Sequence, residues 1–196
     1  MRWKRALDLA LLTPLLPFFA AATAALALVV LVAQGRPVFF VQRRVGLRRR
    51  TFKVFKLRTM TCEADEAARR PTRLGGWLRH RGLDELPQLF NVLWGDMSLV
   101  GPRPLSPADA DRLCAKHPPF AARFALKPGL TGLAQVCQAQ GVEATAALEA
   151  DYAARSSPAV DLGVLVRTAW INLVGKAKGK QAPPPRWRSP RARWLA

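Results

Sequence analysis

The sequence predicts an α+β protein that is mostly helical, and three observations support this fold class. Residues 9–33 form one uncharged, apolar stretch of membrane-helix length. Residues 37–42 are rich in β-branched and aromatic residues, as short strands are; residues 51–58 fit either a second strand or an extended loop. The other regular segments have helical spacing or helix-start signals, and helices are predicted at 77–80, after 85, and over 106–116, 143–155 and 160–174.

The composition indicates one domain with anionic partners. A chain of 196 residues, half of them hydrophobic, is long enough to bury a core. The net charge of +18 suggests nucleic acid, an anionic membrane face or phosphorylated substrates as partners. The three cysteines are far apart and odd in number, which fits neither a zinc site nor a disulfide framework and favours a reducing compartment.

The uncharged stretch has two interpretations that its residues alone leave open. It is too long for the apolar part of a typical signal peptide. Arginine and lysine flank it on both sides, so a single crossing would export one basic cluster against the usual charge rule. Pro14 and Pro17 can bend the helix, because each lacks an N–H and crowds the preceding turn. The stretch is therefore either a proline-kinked spanning anchor or a re-entrant helix that returns to the same side.

An acidic pair, Asp84-Glu85, stands directly before an apolar stripe of helical spacing that ends near Gly95. Acids at a helix start are most often ordinary capping, because free N–H groups and the helix dipole favour them. Here Arg79 precedes the pair, and Arg103 follows it in a Gly-Pro-Arg-Pro turn. Two carboxylates among cations can hold a metal ion and a phosphate together.

Further basic residues are candidate phosphate ligands. Lys56 and Arg58 lie in the second predicted strand, although a solvated basic face is the commoner meaning of such a run. Lys127 is the first of residues 127–136, which are predicted to form a fixed loop because of their prolines and glycines. The end of the chain, from residue 176, carries seven Lys or Arg and no acid, and suits an anionic lipid surface.

Several blocks, taken in order, resemble the bacterial sugar transferase family, the small monotopic phosphoglycosyl transferases. The resemblance extends from residue 4 to about residue 175, so it covers nearly the whole chain. Each block alone is weakly specific, whereas the ordered set is highly specific. The blocks are residues 4–8, Pro37-Val38-Phe39-Phe40, residues 52–60, residues 83–93, residues 95–104, Lys127-Pro128-Gly129-Leu130-Thr131-Gly132, Asp151-Tyr152 and Asp161-Leu162.

The resemblance implies an enzyme that moves a sugar-1-phosphate from a UDP-sugar to a polyprenyl phosphate and releases UMP. It makes Asp84 the nucleophile that carries a covalent phosphosugar, and Glu85 a Mg²⁺ ligand together with Asp84. Arg79 matches a family arginine that holds phosphate. Arg103 and Lys127 fall in loops that face the phosphates and the nucleotide.

The resemblance also decides the membrane question in favour of the re-entrant helix. It implies a hairpin over residues 1–35, a catalytic domain with surface amphipathic helices over 36–175, and a basic tail over 176–196. The enzyme is expected on the cytoplasmic face of the bacterial inner membrane, against its anionic leaflet, with no nucleic acid partner.

The chain departs from the family pattern in three places. The family often has Trp where Leu133 stands. The family's Ser-Pro break falls here on Ala20-Ala21, one to two turns after the prolines. The family's Asn-Gly-Arg is replaced by Cys137-Gln138-Ala139, which removes an arginine contact. The alternative function is a non-enzymatic, membrane-anchored basic module that binds polyanions, for which adjacent acids among the arginines have no use.

Overall fold

The computed structural model describes residues 2–63, 65 and 68–174, and confirms a mostly helical α+β fold. The predicted basic tail lies outside the described residues. Within the residues that are described, four short strands form two separate two-stranded sheets, and there are eight α-helices.

The N-terminal stretch contains two helices separated by a turn. Helix α1 spans Arg2–Leu12 and α2 spans Leu16–Gln34. Pro14 lies in the turn, and Pro17 occupies the second position of α2, where a missing N–H leaves no hydrogen bond unmade. The helix is continuous through Ala20-Ala21. By length and composition α2 could cross a membrane, and most of its surface is exposed.

Helix α1 packs into the globular part of the molecule. The amine of Lys4 is buried and contacts Asp161 and the Tyr152 hydroxyl at the far end of the chain. The carboxylate of Asp8 accepts hydrogen bonds from Ser98 Oγ and the Leu99 N–H, both 3.0 Å long. The first half of the predicted 1–35 hairpin therefore shares the domain's core, and the boundary at residue 35 stays a prediction.

The far end of α2 is also fixed to the domain. The guanidinium of Arg58 donates to the carbonyl of Gln34, and to those of Gly35 and Arg36 at 3.1 Å each. These are carbonyls at the end of the helix, which have no partner within it. Val30 of α2 packs with Leu57, Leu78 and Leu83 in a small apolar cluster.

A β-hairpin follows α2. Strand β1 (Phe39–Val45) pairs antiparallel with β2 (Thr51–Leu57), and a 3-10 turn over Leu47–Arg49 joins them. The strand prediction for residues 51–58 is therefore confirmed over its loop alternative. The register places Arg44 opposite Phe52 and Phe40 opposite Lys56.

The middle of the chain surrounds the acidic pair. Helix α3 (Arg73–Arg81) is longer than predicted, and it is capped by Thr72, whose hydroxyl accepts a hydrogen bond from the Gly75 N–H. A 3-10 turn, Leu83–Glu85, precedes α4 (Gln88–Trp94). Strand β3 (Ser98–Val100) pairs in parallel with β4 (Gly129–Thr131).

The prediction of a loop over residues 127–136 was wrong, because this segment contains β4 and the short helix α6 (Leu133–Val136). Its glycines permit a close approach of two backbones: a Cβ on Gly129 would lie 2.0 Å from the Gly101 nitrogen. The glycine pattern therefore reflects tight strand pairing.

The remaining helices agree with the sequence within a few residues. Helix α5 (Pro107–Lys116) starts at the predicted Ser106 cap, and a long 3-10 segment, Pro118–Ala125, follows. Helices α7 (Gly141–Arg155) and α8 (Pro158–Val174) complete the described chain. The main core joins buried side chains from α1, β2, α4, β3, α6, α7 and α8.

Candidate active site

The acidic pair occupies the 3-10 turn between α3 and α4. Gly82 ends α3 in the left-handed region, with φ +70°, and turns the chain toward the pair. Leu83 packs against Leu57 and Leu78, which fixes the start of the turn. Asp84 is 7% exposed, whereas Glu85 is less completely buried.

Two cations bind the Glu85 carboxylate. Its Oε1 lies 2.6 Å from Lys56 Nζ and 3.3 Å from an Arg103 nitrogen. Burial alone would raise the pKa of Glu85, but the charges and hydrogen bonds of Arg103 and Lys56 outweigh it and lower that pKa. Glu85 is therefore held as a carboxylate.

Asp84 is in the opposite electrostatic situation. Burial and the neighbouring Glu85 charge raise the pKa of Asp84. Lys56 and Arg79 act against this shift by favouring the charged form. Further positive charge brought close to Asp84 would favour its carboxylate, the form that can attack phosphorus.

A pocket opens beside Glu85, and its empty volume is about 250 Å³, part of it open to solvent. Three cations and a single carboxylate line it, so it carries an excess of positive charge that suits a phosphorylated ligand. The lining residues are Arg44, Val54, Lys56, Glu85, Gln88, Arg103, Pro104, Gly129 and Leu130.

The structure brings some predicted site residues together and places others apart. Lys56, Glu85 and Arg103 meet at the pocket, and Arg79 is exposed near Asp84. Lys127 Nζ donates to the Gly95 carbonyl at 2.7 Å, at the end of α4. Arg58 binds the end of α2, as described above. The nucleotide-binding roles of Lys127 and Arg58 stay predictions, and their observed contacts are with helix ends.

Sequence reasoning missed two pocket residues, Arg44 and Gln88. In the sequence Arg44 is one of several basic residues after the apolar stretch, and nothing there distinguishes it from its neighbours. In β1 it shares a face with Gln42, whose Oε1 accepts a hydrogen bond from it at 2.6 Å. Gln88 follows Asp84 by four residues, a spacing that indicates proximity only once the turn is known.

A buried ion pair, Arg123 with Glu149, contacts the backbone of the loop that contains Arg103. Arg123 donates to the Arg103 carbonyl at 2.5 Å and lies 3.1 Å from Glu149. Both side chains of the pair are almost fully buried. Burial raises the pKa of Glu149 to about 7, even though the Arg123 charge opposes the shift. The loop position therefore depends on two charged groups remote from the pocket.

The donor atoms at the site fit a Mg²⁺ ion. Magnesium commonly takes one or two carboxylates, and substrate phosphates and water complete its coordination. Glu85 lines the pocket, and the Asp84 carboxylate is close enough to it for the Glu85 charge to raise its pKa. The described part of the chain has no cluster of three or more His, Cys, Asp or Glu. Such an ion would therefore depend on the substrate for further ligands.

Comparisons with known proteins show which family the chain resembles in sequence. The model of the bacterial sugar transferase family matches residues 1–175. The chain is 42% identical over 180 residues to a UDP-glucose:undecaprenyl-phosphate glucose-1-phosphate transferase of Caulobacter vibrioides, covering 84% of this chain and 67% of that protein.

Two further relatives are longer than this chain. An undecaprenyl-phosphate glucose phosphotransferase of Komagataeibacter xylinus is 42% identical, over 70% of this chain and 28% of its own length. A UDP-N-acetylgalactosamine-undecaprenyl-phosphate N-acetylgalactosaminephosphotransferase of Aeromonas hydrophila is 36% identical, over 72% of this chain and 35% of its own. The chain therefore spans only about a third of these two relatives.

Proposed function

Because this chain belongs to the bacterial sugar transferase family, we propose that it transfers a sugar-1-phosphate from a UDP-sugar to a polyprenyl phosphate and releases UMP. The observation that carries the proposal is the position of the acidic pair: a buried aspartate stands next to a glutamate that two cations hold charged at a cationic pocket. The names of the relatives support the same donor and acceptor classes.

In the first step an Asp84 carboxylate oxygen attacks the phosphorus that carries the sugar. A bond forms between that oxygen and phosphorus, the bond to the bridging oxygen breaks, and UMP leaves with the electron pair. The pocket cations Lys56 and Arg103 lie where they can reduce the repulsion between a carboxylate and a diphosphate.

In the second step a phosphate oxygen of the lipid attacks the same phosphorus. The bond to Asp84 breaks, the carboxylate is restored, and a polyprenyl diphosphate sugar is formed. Splitting the transfer in this way lets one nucleophile serve both substrates in turn. A bound Mg²⁺, held by Asp84 and Glu85, would supply further positive charge to the phosphoryl oxygens.

The proposed place of action is the cytoplasmic face of the bacterial inner membrane. Helix α2 is apolar and mostly exposed, and both of its ends are linked to the domain that holds the acidic pair. A helix that enters one leaflet and returns would hold the pocket at headgroup level, where a polyprenyl phosphate presents its phosphate. The transfer would begin assembly of a polysaccharide or another glycoconjugate.

The test is UMP release from a panel of UDP-sugars with polyprenyl phosphate and Mg²⁺ in detergent. We expect the wild type to release UMP and the Asp84→Ala variant to release none, because the covalent step needs that carboxylate. Mass spectrometry of the wild type with donor alone should find one phosphosugar on the peptide that contains residue 84.

Equal UMP release by the wild type and Asp84→Ala would contradict the assignment of the nucleophile. No release from any donor, together with salt-sensitive binding of polyanions by both proteins, would favour the non-enzymatic basic module.

A further inference from the structure

Gln88 is a buried amide that lacks a partner at the pocket. Its side chain is 3% exposed and lines the cationic pocket beside Glu85. Its Nε2 is fully buried and has no hydrogen-bond partner. A buried donor without a partner is unfavourable, and such groups are rare in folded proteins. The amide is therefore in a position that a ligand acceptor would satisfy.

Arg44 contributes a further positive charge to the same pocket, and no carboxylate of the described residues is hydrogen-bonded to it. Its nitrogens lie 2.6 Å from Gln42 Oε1 and 3.4 Å from the Pro104 carbonyl, both uncharged acceptors. Burial and the nearby Arg103 charge lower the pKa of Arg44, although the charges of Asp109 and Glu85 act against this shift. The crowded arginines would be stabilised by an anion that enters between them.

We propose that Gln88 and Arg44 bind the diphosphate of the nucleotide-sugar donor, Gln88 by donating its amide N–H to a phosphoryl oxygen and Arg44 by neutralising charge. The inference rests on the proposed function and adds two donor-binding residues to it. Two negative charges or more would match the excess positive charge of Arg44, Lys56 and Arg103 over Glu85.

A structural role and a ligand-binding role for Gln88 make opposite predictions for stability. Gln88→Met keeps the length of the side chain and removes the unpartnered donor. We therefore expect the Tm of the ligand-free protein to stay the same or rise, because a buried unsatisfied group is lost. A structural amide would give a lower Tm.

The matched stability control is Thr131→Val. Thr131 is buried in β4 near the pocket, and its hydroxyl makes a 2.7 Å hydrogen bond to Thr168. This isosteric change removes a hydrogen bond that is made. We expect it to lower the Tm and to leave ligand binding unchanged.

The binding experiment is calorimetric titration of the full chain in detergent with UDP and Mg²⁺. We expect Gln88→Met to weaken UDP binding about tenfold, the loss of one hydrogen bond to a charged group. Gln88→Glu should weaken it further, since a carboxylate repels the phosphates. Arg44→Gln should weaken it at least tenfold, and Arg43→Gln, one residue away on the exposed face of β1, should not.

Wild-type UDP affinity in Gln88→Met or in Arg44→Gln would overturn the inference, as would a wild type that does not bind UDP. Retained affinity in Gln88→Glu would show that the amide accepts a hydrogen bond from its ligand, and would also overturn it. UDP binding that depends on Gln88 and Arg44, without UMP release in the transfer assay, would instead contradict the proposed function and leave this inference standing.

Discussion

At the scale of single residues, two adjacent carboxyl groups have pKa values that are shifted in opposite directions by their surroundings. Glu85 reaches Lys56 and Arg103, which lower its pKa, whereas Asp84 is buried and has its pKa raised by burial and by Glu85. The carboxylate held charged suits a metal ligand. Asp84 has the raised pKa, so a cation bound next to it would increase the ionised fraction of its carboxyl group. Under the proposed function, the charge of Asp84 would then depend on whether the site is occupied.

The buried Glu149 gives a stability prediction with a definite sign. Its pKa is about 7 in the fold against an ordinary value of 4.5, so the folded state binds the proton more tightly than the unfolded state. Its contribution to stability is therefore complete below pH 4.5 and is lost as pH rises through 7. Relative to Glu149→Gln, the wild type should lose on the order of 3 kcal/mol between pH 4 and pH 8.

Denaturant unfolding at both pH values measures this difference. Glu143→Gln is the control, because Glu143 lies on the same helix and is exposed. A constant difference between the wild type and Glu149→Gln across the pH range would contradict the prediction.

The sequence indicates the acidic pair and two cations near it, Lys56 and Arg103, because all of them lie in recognisable sequence blocks. It did not predict which acid faces Lys56 and Arg103, since that depends on the 3-10 turn between two helices. Gln88 was missed for a different reason: a glutamine is notable only when it is buried without a partner, and burial is not visible in the sequence.

At the scale of elements, one wall of the pocket depends on the parallel pairing of β3 and β4. Gly101 and Gly129 bring the two backbones close, and Gly129 itself lines the pocket. A side chain at either position would force the strands apart.

Gly129→Ala should therefore lower the free energy of unfolding by about 3 kcal/mol, the upper range for overpacking. The reason is a Cβ 2.0 Å from the Gly101 nitrogen, where backbone atoms would have to move. Thermal unfolding in detergent measures the loss, and a Tm equal to that of the wild type would contradict it.

The control is Gly76→Ala in α3. A Cβ at this exposed helix position meets nothing within 4 Å. It should raise the free energy of unfolding by about 0.5–1 kcal/mol, because alanine loses less backbone entropy in a helix.

Helices that carry capping signals in the sequence were predicted well, whereas short strands that pair with a distant segment were not. Helix α5 has its serine cap and proline in sequence, so its start was predicted correctly. Strand β4 has three residues between turn formers, and its partner β3 lies about thirty residues earlier. No local pattern reports such a pairing, so the segment was interpreted as a loop.

At the scale of the whole molecule, the first helix joins the two ends of the described chain. Lys4 of α1 contacts Asp161 of α8 and Tyr152 of α7, all three buried. Tyr152 also donates to Asp161 at 2.7 Å. Lys4 therefore serves tertiary packing, whereas the sequence pattern indicates only a basic flank of a membrane segment.

Lys4→Met should lower the free energy of unfolding by about 3–5 kcal/mol, because it leaves the buried Asp161 without its cation. The double variant Lys4→Met/Asp161→Asn should recover part of this loss, since it removes the unpaired charge. Chemical unfolding in detergent measures both.

Arg2→Gln is the control, because Arg2 is exposed on the same helix. It should change the free energy of unfolding by less than about 0.5 kcal/mol. A loss in Arg2→Gln equal to that in Lys4→Met would show that the net charge of α1 matters instead of the buried pair.

Near both of its ends, helix α2 packs against the domain that holds the acidic pair. Near its start Phe19 packs on the main core, and near its end Val30 packs against Leu83, the residue before Asp84. A tilt or vertical displacement of α2 would therefore be passed to Asp84 through these contacts. In a lipid bilayer, a thicker or thinner leaflet would raise or lower the proposed nucleophile relative to the headgroup phosphates.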